Sequence, residues 1–335
     1  MDSCKPREAT FVNAANPDPA DIKLSIAMIT YNHEKFIAQA IESALMQKID
    51  TQYEIVIGED CSTDNTLAIC EIFAKRYPNK IRLLHRETNL GMMNNFVATL
   101  NTCRGEYIAL LEGDDYWTVE DKLACQVEFL DNHKDYSICS HNVNLAIDDQ
   151  VSNDEWLGVA AQTERTIEDL LSNGSGGATC SLVFRKDALL PVPDWYPKQK
   201  GGDWSLQVLC ASKGRMRYLP SSMGVYRKHP HGALYHAEID AYSRGDDTVA
   251  LPTKNSLEIC DALDEHFNFR YSKLINQQRA YWSWMGAMDY ASVNTLKATN
   301  YIWKTLSYVS LRELHKNVAI LGGLKHVFFR RWRLK

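Results

Sequence analysis

Short apolar runs alternate with amphipathic stretches over residues 24–111, and this alternation restricts the fold more than any other feature of the sequence. The runs are continuously apolar, which is typical of parallel strands that are buried on both faces of a sheet. The stretches between them place apolar residues at helical spacing. The chain is therefore predicted to begin an α/β fold, with strands at 24–30, 53–58, 81–85 and 107–111 and helices from about Glu34, over 66–77 and over 92–103.

The pattern changes twice in the remainder of the chain. Up to residue 228 helices and strands still alternate, but less regularly. From Lys254 onward the sequence is rich in helix formers and lacks proline, which predicts a C-terminal helical extension. The predicted elements of the middle part are helices at 122–133, 166–171 and 204–212 and strands at 138–145, 179–185 and 223–228.

Charge and cysteine spacing exclude several classes of protein. The formal net charge is -5, whereas a protein that binds a nucleic-acid duplex normally has an excess of Lys and Arg. The nine cysteines are spaced singly, without a Cys-x-x-Cys pair, so we expect free thiols in a reducing compartment. Residues 1–21 lack the apolar run of a signal peptide, and no window has the roughly 20 apolar residues that span a bilayer. We expect a soluble, cytoplasmic protein that does not bind nucleic acid.

Two adjacent carboxylates follow the fourth predicted strand. Asp114 and Asp115 lie within Glu112–Trp117, and side chains at the carboxyl ends of parallel strands face the ligand site of an open α/β sheet. A pair of carboxylates is costly to bury without a cation, and Mg²⁺ or Mn²⁺ completed by diphosphate oxygens would satisfy it. Taken alone, the pair is also typical of a solvated turn.

A second acidic cluster follows the second predicted strand. It contains Asp60 and Asp64, and it is expected at the same edge of the sheet as Asp114. Asp64 has a structural explanation as the N-cap of the next helix. Asp60 lacks that explanation, and its carboxylate either accepts the imide N–H of a uracil ring or stabilises the loop.

The combination of these segments resembles the family 2 glycosyltransferases of the GT-A fold. The resemblance covers about residues 24–235 and implies a Rossmann-like, mostly parallel central sheet flanked by helices. Ser25–Asn32 looks like the family's opening strand, Glu59–Asn65 like its nucleotide-binding acidic turn, Glu112–Trp117 like its Asp-x-Asp-type metal motif, and Asn89-Leu90-Gly91 with Asn94-Asn95 like the segment between them.

The resemblance also implies a division of the chain and a set of site residues. The division is an extension at 1–22, a catalytic domain at 23–250 with a nucleotide-binding half at about 23–117 and an acceptor half at about 118–250, and a helical region at 251–335. Asp115 is the implied metal ligand. The implied contacts to a nucleotide-sugar are Thr30, Tyr31, Asn32, Glu34, Asp60, Asn89, Gly91, Asn95, Asp114 and Arg227.

The segment Gly201–Trp204 resembles the one that supplies the family's catalytic base. Inverting members need a carboxylate that takes the proton of the attacking hydroxyl. Asp203 is therefore the candidate base. From the residues alone, Asp203 is also a good helix N-cap.

The segment Tyr226–His229 resembles a Tyr-Arg-x-His segment of a subset of these enzymes. Positive groups at this point would stabilise the negative charge on a leaving diphosphate. The resemblance makes Arg227 a contact of the diphosphate and His229 a metal ligand. His231 is the alternative to His229, and a solvated loop histidine is the structural alternative to both.

The resulting prediction is an inverting, metal-dependent transferase that moves a sugar from a UDP-sugar to an acceptor hydroxyl, with Mn²⁺ or Mg²⁺ as cofactor. By the family's habits the acceptor is a glycan or lipid-linked glycan at the cytoplasmic face of a membrane, as in polysaccharide and lipopolysaccharide synthesis. Two alternatives stay open: an inactive GT-A module that binds nucleotide-sugar or glycan, and a sugar nucleotidyltransferase, which the absence of a Gly-rich basic loop after the first strand disfavours.

The last residues bear on possible partners. Aromatic and basic residues mix over 321–335, which suits either the surface of an anionic membrane or the face of a terminal helix. Peripheral contact with the inner face of the cytoplasmic membrane is the corresponding expectation. The sequence also allows a homo-oligomer.

Overall fold

The computed structural model describes residues 10–11, 21–147, 150–155, 162–229, 232, 251–290 and 295–308. They divide into two compact units. The first takes its residues from Met1–Ile167, Ser175–Lys198 and Gly202–Lys228, and the second from Glu168–Gly174, Gln199–Gly201 and His229–Lys335.

The first unit contains the predicted parallel sheet. A short strand, β1 (Thr10–Phe11), pairs antiparallel with β4. The sheet then comprises β2 (Leu24–Thr30), β3 (Tyr53–Glu59), β4 (Ile81–His85) and β5 (Tyr107–Leu110), joined by α1 (Ile37–Leu45), α2 (Thr66–Arg76) and α3 (Met92–Thr102). The parallel order is β4-β3-β2-β5, so the loops after β2, β3 and β5 meet at one edge. Ile26, Met28, Ile55 and Ile57 are fully buried, which explains why these strands are apolar without alternation.

Beyond β5 the sheet becomes mixed. Within the described residues eleven strands form one sheet of order β1-β4-β3-β2-β5-β10-β7-β11-β6, with β8 on β7 and β9 on β11. β10 is antiparallel to β5, and β11 is parallel to β7 and antiparallel to β6. In chain order the elements are β6 (Tyr116–Trp117), α4 (Lys122–Asn132), β7 (Tyr136–Ile147), β8 (Gln150–Glu155), β9 (Glu164–Arg165), α5 (Ile167–Asn173), β10 (Val183–Arg185), α6 (Lys186–Leu189), α7 (Asp203–Ala211) and β11 (Arg215–Lys228).

The sequence predictions differ from the structure mainly in this second half. The strand predicted at 179–185 is a 3-10 turn at Thr179–Ser181 followed by β10. The strand predicted at 223–228 is the end of β11, which has 14 residues. Pro220 and two serines interrupt the apolar pattern of β11, and its register shifts between Leu219 and Ser222, so the first half of the strand lacked a clear sequence signal.

The second unit contains the predicted C-terminal helices, α8 (Leu251–His266), α9 (Ser272–Tyr290) and α10 (Thr295–Tyr308). Arg279 of α9 binds Asp261 and Asp264 of α8. Among the helices that the structure describes, none is long and apolar enough to cross a bilayer. The segment 321–335 lies outside the described residues.

Candidate active site

The loops after β2 and β3 are joined by hydrogen bonds. Asn32 Oδ1 accepts a bond from the Thr63 N–H at 2.8 Å, and Glu34 Oε2 accepts one from the Asn65 N–H at 3.1 Å. Asn32 has φ 55°, a left-handed conformation that asparagine tolerates better than most residues. The side chains of Asn32 and Glu34, two predicted ligand contacts, therefore brace this pair of loops. Tyr31 stays 43% exposed at the same edge.

Asp60 joins the loop after β3 to the start of α3. Its Oδ1 accepts the Leu90 N–H at 2.8 Å, its Oδ2 accepts the Gly91 N–H at 2.9 Å, and its carbonyl oxygen accepts a bond from Asn89 Nδ2 at 2.9 Å. Burial raises the pKa of the Asp60 carboxyl, and the two N–H bonds act in the opposite direction. A carboxylate oxygen can accept more than one bond. The loop-stabilising interpretation thus describes contacts that are present, and the carboxylate retains capacity for a ligand N–H.

Asn95 acts below the surface of the site. Its side chain is buried, and its Nδ2 donates a bond to the Gly58 carbonyl oxygen at 2.8 Å, which ties α3 to β3. Gly91, directly before α3, has φ 79°, a conformation that favours glycine. These two predicted contacts therefore position the start of α3.

The acid loop, residues Glu112–Asp115, follows β5 and is held by the end of β11. Asp115 Oδ1 accepts the Arg227 N–H at 2.8 Å, and Arg227 Nη1 donates a bond to the Asp114 carbonyl oxygen at 2.6 Å. The guanidinium lies 4.5 Å from the Tyr116 ring centroid, and its Nη2 donates a bond to Gln39. The structure thus brings together three predicted site residues, and Arg227 fixes the conformation of the acid loop.

Gly113 allows the acid loop to pass close to the end of β2. A Cβ atom at this position would lie 2.6 Å from Thr30 Oγ1 and 3.0 Å from His33 Nδ1. Any other residue would therefore require a shift of the loop or of the Thr30 side chain. The close approach of Thr30 and His33 therefore explains why a glycine precedes the aspartate pair.

The two aspartates of the acid loop differ in exposure. Asp115 is almost fully buried, whereas the Asp114 side chain is 17% exposed and its Oδ2 lies 3.8 Å from His33 Nε2. Sequence reasoning missed His33. The available signal was an imidazole three residues after the central strand β2, at the edge where ligand-binding side chains gather.

Carboxyl groups are crowded around the acid loop. Desolvation, and next the charge of Asp114, raises the pKa of Glu112 to about 8, with Asp203 contributing in the same direction. Desolvation, followed by Asp114 and Glu112, also raises the pKa of Asp115 well above its usual value. Such crowding is unfavourable unless protons or a cation reduce the negative charge.

Asp203 stands at the first residue of α7. The N-cap position belongs to Gly202, so the structure does not make Asp203 the cap that the sequence alone allowed. Gly202 packs tightly: a Cβ atom there would lie 2.6 Å from the Tyr196 hydroxyl, which donates a bond to the Gly202 carbonyl oxygen at 3.1 Å. Asp203 is exposed at the surface. Protein atoms around its carboxyl group nevertheless exclude part of the water, and this desolvation raises the pKa of Asp203.

His229 follows β11 directly and belongs to the second unit. It is buried, and its carbonyl oxygen accepts the Gly232 N–H at 2.9 Å. His231, the alternative to His229, lies outside the described residues. The choice of His229 as a metal ligand stays a prediction.

Three comparisons relate the chain to known proteins. Residues 25–189 match the model of Glycosyl transferase family 2. An uncharacterized protein of Mycobacterium tuberculosis (strain ATCC 25618 / H37Rv) is 37% identical over 218 residues, which are 65% of this chain and 62% of that protein. The chain thus spans less than two thirds of this relative.

Two solved structures share the fold. Staphylococcus aureus TarS 1-349 in complex with UDP-GlcNAc has a TM-score of 0.56 at 18% identity, covering 86% of this chain and 91% of that one. A mannosyltransferase from Pyrobaculum calidifontis in complex with GDP-Man and Mn²⁺ also has a TM-score of 0.56, at 16% identity, covering 96% of this chain and 86% of that one. The GT-A fold expected from the sequence is confirmed. Over residues 25–189 the chain is similar to the members of glycosyltransferase family 2.

Proposed function

We propose that the chain transfers a sugar from a nucleoside-diphosphate sugar, with UDP as the carrier, to an acceptor hydroxyl. The observation that supports this most is the crowding of Glu112, Asp114 and Asp115 around one loop at the carboxyl edge of the parallel sheet. Such a group can hold a cation against a diphosphate. The TarS structure contains UDP-GlcNAc and the mannosyltransferase contains GDP-Man with Mn²⁺, which supports a nucleotide-sugar as the donor class.

The donor set of the acid loop fits a divalent cation. Arg227 occupies one oxygen of Asp115, which leaves Oδ2 for a metal. His33 and Asp114 are further side chains of a type that binds metal, and we include them as ligands; His229 stays a ligand on the sequence prediction alone. Carboxylates suit Mg²⁺ and Mn²⁺, and imidazole favours a transition metal, so Mn²⁺ fits this set best. When bound, the cation would neutralise negative charge on the diphosphate.

Asp203 is proposed as the general base of an inverting displacement. The acceptor oxygen attacks the anomeric carbon while the bond from that carbon to the diphosphate oxygen breaks, and the hydroxyl proton moves to the Asp203 carboxylate. A base is most effective when its pKa lies near the working pH, and desolvation moves the pKa of Asp203 in that direction. Attack from the side opposite the leaving group inverts the anomeric centre.

The nucleotide is proposed to lie over the joined loops. Exposed Tyr31 offers a face for the base, and Asp60 can accept an additional N–H beside the bonds it already receives. The other predicted contacts at this edge, Thr30, Asn32, Glu34, Asn89, Gly91 and Asn95, shape the surface on which it rests.

The domain division and the acceptor are also proposals. Residues 23–250 would carry catalysis and 251–335 the helical region. The acceptor would be a glycan or lipid-linked glycan reached from the cytoplasm, as in surface polysaccharide synthesis.

Nucleotide-sugar binding and turnover test the proposal. Purified protein is titrated with a panel of UDP- and GDP-sugars with and without Mn²⁺ while its unfolding temperature is followed, because a ligand that binds only the folded state raises it. One donor should stabilise the protein in a metal-dependent way, and UDP should be released from it when an acceptor is present. Tight binding of UDP with no release from any donor and acceptor would instead favour an inactive nucleotide-sugar module.

A further inference from the structure

Helix α10 has an inner face that packs against α9. Ala298 and Thr305 are buried, and Ile302 and Tyr308 pack against the cluster formed by Ala280 and Trp284 of α9. The inner face therefore accounts for the position of the helix within its unit.

The outer face of α10 carries large apolar side chains. Leu296 is 81% exposed, Trp303 is 67% exposed and Leu306 is 38% exposed. Leu296 and Trp303 are seven residues apart, so they lie above one another two turns apart on the same side of the helix. Exposed apolar residues that line up in this way mark a surface for interaction.

The charge of this region identifies the kind of partner. α10 contains Lys297 and Lys304 and no acidic residue. Lys304 Nζ lies 5.3 Å from the Tyr301 ring centroid, beside the exposed Trp303. Residues 295–335 carry nine lysines and arginines and one glutamate, whereas the 294 residues before them carry 28 basic and 41 acidic residues. The excess of positive charge is thus confined to α10 and the sequence that follows it.

We propose that the outer face of α10 docks on the surface of an anionic lipid bilayer. Trp303 and the two leucines would enter the boundary between headgroups and acyl chains, and the lysines would extend to the phosphates. A second copy of the chain would bring lysine against lysine, and a nucleic acid would offer no apolar surface to the leucines. The inference goes beyond the proposed function, because it assigns a surface outside the transferase site.

Vesicle flotation of the full chain tests the proposal. The protein should float with vesicles that contain about 30% phosphatidylglycerol, should not float with pure phosphatidylcholine, and should be released by roughly 0.5 M salt. The double variant Trp303→Ser/Leu306→Ser should bind at least about tenfold more weakly, and Lys304→Ala roughly fivefold. Ile72→Ser is the matched control, since Ile72 is 64% exposed on α2, and it should bind like the original chain.

Other outcomes would overturn the proposal. Equal affinity of the original chain and the double variant for anionic vesicles would remove α10 from the interface. A dimer that the double variant converts to a monomer, with vesicle binding unchanged, would assign the face to a second copy. Unfolding temperature and UDP release should stay unchanged in all these variants, and the vesicle measurement stands whether or not the chain proves to be a transferase.

Discussion

Two parts of the candidate site lie at the same edge of the sheet: the joined loops after β2 and β3, and the acid loop after β5. They differ in the surroundings of their polar side chains. In the joined loops, Asn32 and Asp60 accept bonds from backbone N–H groups of neighbouring segments. In the acid loop, Glu112 and Asp115 have raised pKa values because burial and neighbouring carboxylates oppose their ionisation. Asp115 also accepts one backbone N–H, and the pKa of Asp60 is raised by burial too, but only in the acid loop do several neighbouring carboxylates add to the rise.

This difference separates residues that stabilise the structure of the site from residues that are proposed to act in the reaction. A hydrogen bond that the protein already makes contributes to folding whether or not a ligand is present. Crowded carboxylates disfavour the folded state until a cation binds, which is the usual compromise between stability and activity. We therefore expect substitutions in the acid loop and at Asp203 to affect turnover and metal binding, and substitutions in the joined loops to affect stability.

The largest expected effect is that of Asp203→Asn on turnover. Removing the proposed proton acceptor should lower kcat by about 10²–10⁴-fold while nucleotide-sugar affinity stays within a small factor, because the role proposed for Asp203 is on the acceptor side. UDP release and donor titration measure the two quantities. A turnover equal to that of the original chain would remove Asp203 from the mechanism.

Asp115→Asn should weaken metal binding roughly 100-fold. The asparagine oxygen can still accept the Arg227 N–H, so the acid loop should keep its conformation while losing a negative charge. Metal-dependent stabilisation by UDP, measured at several Mn²⁺ concentrations, gives the change in affinity. Unaltered Mn²⁺ dependence would mean that Asp115 is not a ligand.

Lys122→Met tests whether the protein itself neutralises the acid loop. Lys122 is fully buried with its Nζ 3.8 Å from the Trp117 ring centroid, and burial lowers its pKa to about 7. Between about pH 7 and 10 Lys122 binds more protons in the unfolded chain than in the folded one, so this residue alone makes stability rise with pH by up to about 1.4 kcal/mol per unit. Buried cysteines such as Cys70 and Cys103, whose pKa values burial raises, act in the opposite direction, so the contribution of Lys122 is the difference between the original chain and the variant.

The Lys122→Met variant should lose the contribution of Lys122, so its stability should change less favourably with rising pH than that of the original chain, and it should keep the Mn²⁺ affinity of the original chain. Denaturant unfolding at pH 7.5 and about pH 9 measures the slope, with the exposed Lys75→Met as control. A parallel pH dependence in the original chain and in the Lys122→Met variant would show that Lys122 remains charged in the fold.

Asn32→Ala should have the smallest effect, a loss of about 1 kcal/mol of stability, with metal affinity unchanged. It removes the acceptor of the Thr63 N–H and places alanine at φ 55°. Asn32→Gly loses the same acceptor without the conformational strain, so it should be the more stable of the two. If instead Asn32→Ala weakened Mn²⁺ binding more than Asp115→Asn, the distinction between a structural role of the joined loops and a metal-binding role of the acid loop would be wrong.

The parallel half of the fold was predictable because its strands are buried on both faces. Their apolar runs are continuous, and β2, β4 and the start of β3 fall where the sequence predicts them. Asp64 lies one residue before the N-cap position of α2, which is Asn65, although its Oδ1 accepts the N–H of Thr66 at 2.9 Å. Local sequence patterns are sufficient to predict the structure where the conformation of each residue depends mainly on its neighbours in sequence.

The rest depends on contacts between distant segments. α1 begins at Ile37 rather than near Glu34, because Glu34 is bonded to the next loop. The link from Arg227 to the acid loop joins residues more than 100 positions apart, and the closeness of His33 to Asp114 arises in the same way. The motifs predicted which side chains lie near this edge of the sheet. They did not predict which of these side chains already form hydrogen bonds with other segments of the protein.

The crowding around Gly113 limits how this fold could be redesigned. With Thr30 and His33 so close, any other residue at that position would require a shift of the loop or of the Thr30 side chain, so a mutant library should strongly favour glycine. Gly201, by contrast, has open space around its Cα and would accept many side chains. An engineer seeking a new donor or acceptor preference should leave the first glycine untouched and diversify the approach to Asp203.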